Sequence, residues 1–472
     1  MLSLTAQRHQ FGAAAVQAPE RLLRAVAGIG KRRARSLLQA RVHGQQPLPR
    51  KLSGVAGVIG QLDRHVSAEA CRGGLSHRRL HRVEHGQRSW FRASIRRLAH
   101  RSDLELTQQW GDSVRKCKKC LLPEAAPGAD LDSSGVCAAC RATPTRRTTQ
   151  PDASRYREDL EASLEAARNH AGSSYDCIVP LSGGKDSLFL LHRLKVEYGM
   201  RVLAFTCDID LPPIAWANIR LALRKLDIDH LVFTPAHAFL TKLFRYLLKN
   251  QEARGAVYSV SYVYAPLFEG AAIRLAIEKN IPLVLAGYSP GQPEPERMLY
   301  EFAPALVSGE DWTPPHLKEC GEFSADELEA FYNPLRLPAG TRFPRYIAPY
   351  HAWEYDQDQV VRKVTELGLV RRSTHASPIV SNYPINWLMM YSDLHNFGYN
   401  PYAPEFAALI REGRASLRYW RVMAPIVDLM IRHKIGLGRE VRRSMKWLGL
   451  DDADLRITLP RGAYDPPMLR GG

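Results

Sequence analysis

The sequence predicts an α/β fold, a doubly wound parallel sheet preceded by a small four-cysteine ribbon. Three observations carry this expectation. Short apolar runs alternate with helical patterns between residues 175 and 292, as parallel strands covered by helices on both faces require. A glycine-rich turn joins the first apolar run to the first helical pattern, and two C-x-x-C pairs stand upstream of it. At 472 residues and 45% hydrophobic composition the chain is long enough for two or three globular domains. The expected division is a basic leader over 1–110, a four-cysteine ribbon over 111–150, an α/β domain with the glycine-rich turn over 151–300, and a helical substrate or partner region over 301–472.

The leader carries almost all of the formal charge of +17. Residues 1–100 contain 19 Lys and Arg against 4 Asp and Glu, whereas the other 372 residues contain 46 against 44. Bulk charge therefore gives the rest of the chain no electrostatic footprint, and no stable nucleic-acid partner is expected. Segments such as GKRRARSLLQARVHG show no sustained helix or strand period. The leader reads as a disordered basic tail, as residues upstream of the true start, as a transit segment or as a decayed domain; these four stay open. For the last, LSGVAGVIG from Leu52 and GLSHRRL from Gly74 resemble the opening of the glutaminase domain of asparagine-synthetase-type amidotransferases. That family uses a cysteine after the initiator methionine, and Ser53 stands at the matching place. An internal serine offers neither a thiolate nor a free terminal amine, so such a domain would be inactive. No uninterrupted apolar run approaches the roughly 18 residues of a membrane span, and no secretory signal is evident, so a cytoplasmic location is expected.

The ribbon is read from KCKKCLLPEAAPGADLDSSGVCAACRATP. Cys117 and Cys120 form one C-x-x-C and Cys137 and Cys140 a second, with 16 residues between them. Each pair turns two thiolates toward one point, and four soft sulfur donors in a tetrahedron suit Zn2+ better than a hard cation. An iron–sulfur cluster is the alternative metal reading. The expected role is structural, a closed site that folds the ribbon. Cys71, Cys177, Cys207 and Cys320 lack such spacing, and of these Cys207 alone falls at a strand end beside the glycine-rich turn.

YDCIVPL reads as a buried strand, and KDSLFLLHRLKVEY places Leu188, Leu191, Leu194 and Tyr198 at helical spacing. The turn between them, Ser182 to Ser187, has the geometry of an anion cradle. Gly183 and Gly184 let the backbone approach a phosphate, and the N–H groups at the helix start face it. Ser182 and Ser187 add hydroxyls and Lys185 a positive charge. Asp186 would repel a phosphate if unaccompanied, so it is expected either to hold Mg2+ or to brace the loop. The spacing is not that of a Walker A loop.

Downstream, RVLAFTCD reads as a second strand, AWANIRLALRKLD as a helix, HLVFTP as a third strand, APLFEGAAIRLAIEKN as a helix, and IPLVLAGYSPGQ as a fourth strand ending in a loop. Ligands of such sheets lie at the carboxyl ends of the strands, so Thr206, Cys207, Asp208 and the stretch from Gly287 to Gln292 are expected to rim the site. For Cys207 and Asp208, strand-end packing or loop capping is the competing reading. YIAPYHAWEYDQDQVVRKVTELGLV has the pattern of a helix that packs after the sheet, with Glu354 or Asp356 as candidate substrate contacts or a solvated helix start. Arg345, Arg371, Arg372 and His375 are candidates for a diphosphate, against ordinary surface charge. IRHKIGLGREVRRSMKWLGL reads as a docking helix rather than a membrane-surface one.

The S-G-G-K-D-S sequence of residues 182–187 resembles the pyrophosphate loop of the PP-loop ATP pyrophosphatases, which cleave ATP between the α and β phosphates and transfer AMP to a substrate oxygen. The order of ribbon, loop and the later segment LHNFGYNPYAPEFAALIREGRAS resembles the N-acetyl sugar amidotransferases of lipopolysaccharide and surface-glycan biosynthesis, over roughly residues 115–420. That resemblance implies ATP-driven activation of the acetamido oxygen of a nucleotide-linked sugar and displacement of AMP by ammonia. It also implies a partner glutaminase and an ammonia-channel protein related to the histidine-biosynthesis pair. It implies ATP or pyrophosphate contacts from Ser182, Gly183, Gly184, Lys185, Asp186, Ser187, Thr206 and Gly287, with Lys185, Asp186, Cys207 and Asp208 near the chemistry. Two places depart from the family: AGYSPGQPEPE stands where a Gly-Glu-Asn-like segment is expected, and Asn382 and Tyr383 stand where an acidic residue and a cysteine are expected. Two other classes stay open, a tRNA-thiolating enzyme using Cys207 for sulfur transfer and an accessory protein that keeps the loop without activity.

Overall fold

The computed structural model describes residues 115–142, 153–290, 297–377 and 383–465. The leader, with Ser53 and the glutaminase-like segment, lies outside the described residues, as do Asn382, Gly291 and Gln292. Five parallel strands make the main sheet: β1 (Cys177–Pro180), β2 (Val202–Cys207), β3 (Asp229–Phe233), β5 (Leu283–Leu285) and β6 (Arg345–Ile347). The strand β4 (Gln251–Glu252) pairs instead with β7 (Ile457–Leu459) in a small second sheet.

The order in the main sheet is β3-β2-β1-β5-β6. From β1 the chain builds outward to β2 and β3 on one side, then returns to place β5 and β6 on the other. The order reverses between β1 and β5, so a crevice opens at their carboxyl ends, where open α/β sheets bind ligands. Side chains alternate across β1: Cys177 and Val179 join the core on one face, and Ile178 the core on the other. Helices α1 (Ala153–Arg168), α2 (Lys185–His192) and α3 (Pro213–Leu226) follow the first core, and α5 (Ala256–Glu278) closes the second. The expected doubly wound sheet is what forms.

Two elements were not legible as such. The first is α4 (His237–Lys249), whose buried Leu243, Phe244 and Leu247 join a third, helical core with α7 (Ile385–Phe397) and α10 (Arg439–Leu448). The second is β6. The pattern around YIAPYHAWEYD was expected to be helical, but Arg345–Ile347 pairs with β5, and the helix α6 begins only at Gln357. Pro344 and Pro349 limit the strand to three residues, too short for a period-2 signal. The sheet therefore runs past residue 300, and the region expected to be helical from 301 contributes an edge strand. The described residues all fall within one compact unit.

Helix α5 has the length and composition of a membrane-crossing segment. It contains Pro266, and most of its residues are buried against the sheet and the helical core, so it is apolar on all sides because protein surrounds it. Its start is held from a distance. The Asp393 carboxylate on α7 accepts from the backbone N–H groups of Ala256 (2.5 Å) and Val257 (3.0 Å). Removing it strands one buried and one partly buried donor. Asp393→Ala is expected to lower unfolding stability by about 2–4 kcal/mol, read as a lower urea midpoint; an unchanged midpoint would refute the cap.

Candidate active site

The loop from Leu181 to Gly184 leaves the carboxyl end of β1 and runs into α2. Gly183 sits at φ +75°, and a Cβ there would lie 2.6 Å from the Ala215 carbonyl oxygen. Both facts demand glycine: the left-handed torsion and the contact with the start of α3 leave no room for a side chain. Asn218 on α3 fixes the same peptide by donating to the Gly183 carbonyl (3.1 Å), and its amide also reaches the His375 carbonyl (3.2 Å). Ser187 donates to the Gly184 carbonyl (3.1 Å), and its hydroxyl lies 3.3 Å from that of Ser182. Across the crevice, a Cβ on Gly287 would lie 2.9 Å from the Ser187 backbone nitrogen, so the second residue after β5 must also be glycine for that strand to close on the loop. The N–H groups of the first turn of α2 lack intrahelical acceptors and face a loop shaped for an anion.

Asp186 is buried and fully engaged. Lys185 Nζ donates to one carboxylate oxygen (2.6 Å) and the Tyr355 hydroxyl to the other (3.0 Å), while the Tyr350 hydroxyl donates to its backbone carbonyl (2.7 Å). Burial, reinforced by the Asp186 charge, raises both phenols and keeps them protonated as donors. The Asp186 carboxylate thus ties the start of α2 to the chain that follows β6. Sequence reading missed both tyrosines, because nothing in YIAPYHAWEYD marks them until the chain after β6 is seen to pass beneath the loop.

The other expected site residues serve the scaffold around the loop. Thr206 is buried in β2, donating to the Leu181 carbonyl (2.7 Å) and meeting His230 Nε2 (2.8 Å), and so supports the loop from below. Asp208 caps its own turn by accepting from the Leu211 N–H (3.0 Å). Burial, with Asp208 adding to it, pushes the Cys207 thiol up to about 12, the opposite of a reactive cysteine. Arg345 is no diphosphate ligand: it is held by Glu301 (2.7 Å), Asp159 (2.8 Å) and Ser163 (2.6 Å), which tie β6 to α1. Asp356 caps α6 through the Gln359 N–H (2.8 Å), and Glu354 is exposed, so the helix-start reading holds for both. Arg371 and Arg372 are exposed, whereas His375 reaches the cavity described next.

A cavity of about 280 Å³ opens directly on Gly184, Lys185 and Asp186. Its far side is built by α8 (Ala403–Arg411) and α9 (Leu417–Arg432), where Phe406 and Trp420 stack at 3.6 Å into an apolar wall. Asn386, Asn400, Tyr402 and Glu405 add polar groups, all but the first from the segment LHNFGYNPYAPEFA. Burial pushes the Glu405 carboxyl up to about 7, against the pull of Lys185. Sequence reading singled out that segment but none of its residues; a carboxylate just after the Pro404 helix start was the available signal.

The ribbon forms the remaining wall, through Lys116, Cys120, Leu121 and Pro123. The thiols of Cys117, Cys120, Cys137 and Cys140 converge, with all four sulfurs within 4.8 Å of one another. The Cys137 N–H donates to Cys117 Sγ (3.3 Å) and the Cys140 N–H to Cys137 Sγ (3.4 Å), contacts that favour thiolates. Burial pushes Cys120 up to about 11, whereas backbone donors bring Cys117 down to about 7 against the same burial. A tetrahedral divalent ion would resolve the cost of packing four sulfurs together, so these residues fit zinc. Arg411 on α8 reaches Cys120 Sγ (3.6 Å), linking the cluster to the cavity wall.

No protein-family model and no curated protein matches the sequence. Similar folds among solved structures include NMN synthetase from Francisella tularensis, at 12% identity and TM-score 0.27, covering 66% of this chain and 98% of that one. The NH3-dependent NAD synthetase from Campylobacter jejuni, solved with nitrate, matches at 14% identity and TM-score 0.28, covering 64% and 97%. A predicted subunit of tRNA methyltransferase from Methanocaldococcus jannaschii matches at 16% identity and TM-score 0.21, covering 41% and 88%. At these scores the likeness carries no weight of its own.

Proposed function

We propose that this chain is an ATP-cleaving amidotransferase that forms AMP and pyrophosphate while converting the acetamido group of a nucleotide-linked sugar to an acetamidino group. The observation that carries the reading is the juxtaposition of a phosphate cradle at the sheet's switch point with a cavity that opens on the same three loop residues. The cavity of about 280 Å³ leaves room for an acceptor group beside the loop.

In this reading the loop N–H groups and Lys185 hold the β and γ phosphates, and Mg2+ accompanies ATP as its counter-ion. The acetamido oxygen attacks the α phosphorus and pyrophosphate departs into the loop. An amide oxygen is a poor leaving group, and adenylation makes it a good one. No side-chain nucleophile is needed, so positioning and charge stabilisation supply the rate. The Phe406–Trp420 wall suits a sugar face or the acetyl methyl. The nitrogen would come from a partner glutaminase through a channel protein of the histidine-pathway type and would equilibrate with ammonium in the chamber, and the ribbon, holding zinc, would keep its wall of the chamber in place. The elevated Cys207 thiol speaks against the sulfur-transfer alternative.

The test incubates the protein with ATP, magnesium, ammonium and a panel of UDP-linked acetamido sugars. AMP and pyrophosphate, coupled to a sugar mass about one unit lower as oxygen is replaced by NH, is the expected result. ADP release, or AMP release with tRNA alone, would overturn the reading.

A further inference from the structure

Three carboxylates line the cavity: Asp186, Asp428 and Glu405. Asp186 is taken by Lys185 and Tyr355. Asp428 accepts from Asn400 (3.1 Å) and lies 3.9 Å from Lys116 Nζ. Glu405 has no hydrogen-bond or ion-pair partner among the described residues, although the charges of Lys185 and Asp186 both act on it. Its side chain is half-buried on the cavity surface, so an unpartnered carboxylate there stands open to a cation or a proton donor that enters the chamber. It stands on the first turn of α8, across the chamber from the loop where the adenylated acceptor would form.

We infer that Glu405 is the catalytic group that binds the incoming ammonium ion and takes its proton, releasing ammonia to attack. This rests on the amidotransferase reading. Ammonium has no lone pair and cannot attack; one proton must leave first. The carboxylate of Glu405 receives that proton. The nitrogen lone pair then forms the C–N bond to the O-adenylyl imidate carbon, the C–O bond breaks, and AMP departs with the electron pair. A second nitrogen proton passes to solvent, and the product leaves as the amidinium. A carboxyl whose pKa lies near neutrality both accepts the first proton and returns it to water between turnovers.

The experiment compares wild type, Glu405→Gln and Glu405→Asp in the full-length chain, with the UDP-linked acetamido sugar that supports turnover. Three readouts are taken: sugar-dependent exchange of labelled pyrophosphate into ATP, product formation with ammonium, and product formation with hydroxylamine. Hydroxylamine is largely uncharged at neutral pH and needs no base. Glu405→Gln is expected to keep the exchange and the hydroxylamine rate while losing ammonium-dependent product formation about 100-fold or more. Glu405→Asp should restore part of the ammonium rate, and its thermal melt reports on folding. Loss of exchange in Glu405→Gln would place the residue in adenylation and overturn the inference, as would equal loss with both nucleophiles. Wild-type protein without exchange or product with any sugar would overturn the amidotransferase reading itself, and the inference with it.

Discussion

Gly183→Ala is expected to reduce nucleotide-dependent turnover by about 100- to 1,000-fold, the range associated with losing a preorganised charge-stabilising donor. Two independent costs coincide at this position. A non-glycine residue at φ +75° is disfavoured by about 1–2 kcal/mol. Its methyl would also meet the Ala215 carbonyl oxygen at 2.6 Å, and backbone on both sides cannot yield without moving the start of α3. The loop would open, the Asn218 bond to the Gly183 carbonyl would lengthen, and the N–H groups would no longer converge on one anion. Pyrophosphate exchange is the direct measurement. Wild-type exchange in the variant would show that the loop does not cradle the phosphates. Gly184, at φ −80°, carries no such torsional demand, so Gly184→Ala is the internal control and should be the milder change.

The second large effect is expected from the ribbon. Structural zinc contributes an apparent 10–16 kcal/mol to folding of small thiolate sites, and the ribbon's own buried apolar residues, such as Leu122 and Ala126, are few. Cys137→Ser, or prolonged chelation, is expected to remove about one zinc per chain and to expose residues 115–142 to protease. Because Lys116, Cys120 and Leu121 line the cavity, sugar-dependent turnover should fall with the metal, while ATP binding at the loop persists. Metal analysis and nucleotide binding on the same samples separate these. A metal-free chain with an intact ribbon would show that the site is not structural, and visible absorbance with bound iron would favour the cluster alternative.

What could be read from the chain divides along the range of the interactions involved. The loop and ribbon were legible because their meaning is local: two glycines between a strand and a helix, and cysteines three apart. The central strands were legible because buried parallel strands are continuous apolar runs. The three-residue β6 carried no periodicity, and Arg345, which looks like a free phosphate ligand in one dimension, is consumed by Glu301 and Asp159 in three. Tyr350, Tyr355 and Glu405 act on the loop from more than 150 residues away, and no local pattern encodes such a meeting.

The late arrival of β6 orders the events of synthesis. Residues 177–233 supply β1 through β3 and the loop itself, so a chain emerging from the ribosome has the phosphate cradle early. The tyrosines that brace it arrive only at 350 and 355, and the far wall of the chamber at 403–428. The ribbon, made before any of these, waits longest for its partner surface on α8 and α9. Long-range pairings of this kind close slowly. A nascent chain thus completes the loop well before the residues that brace it and the far wall of the chamber have been made.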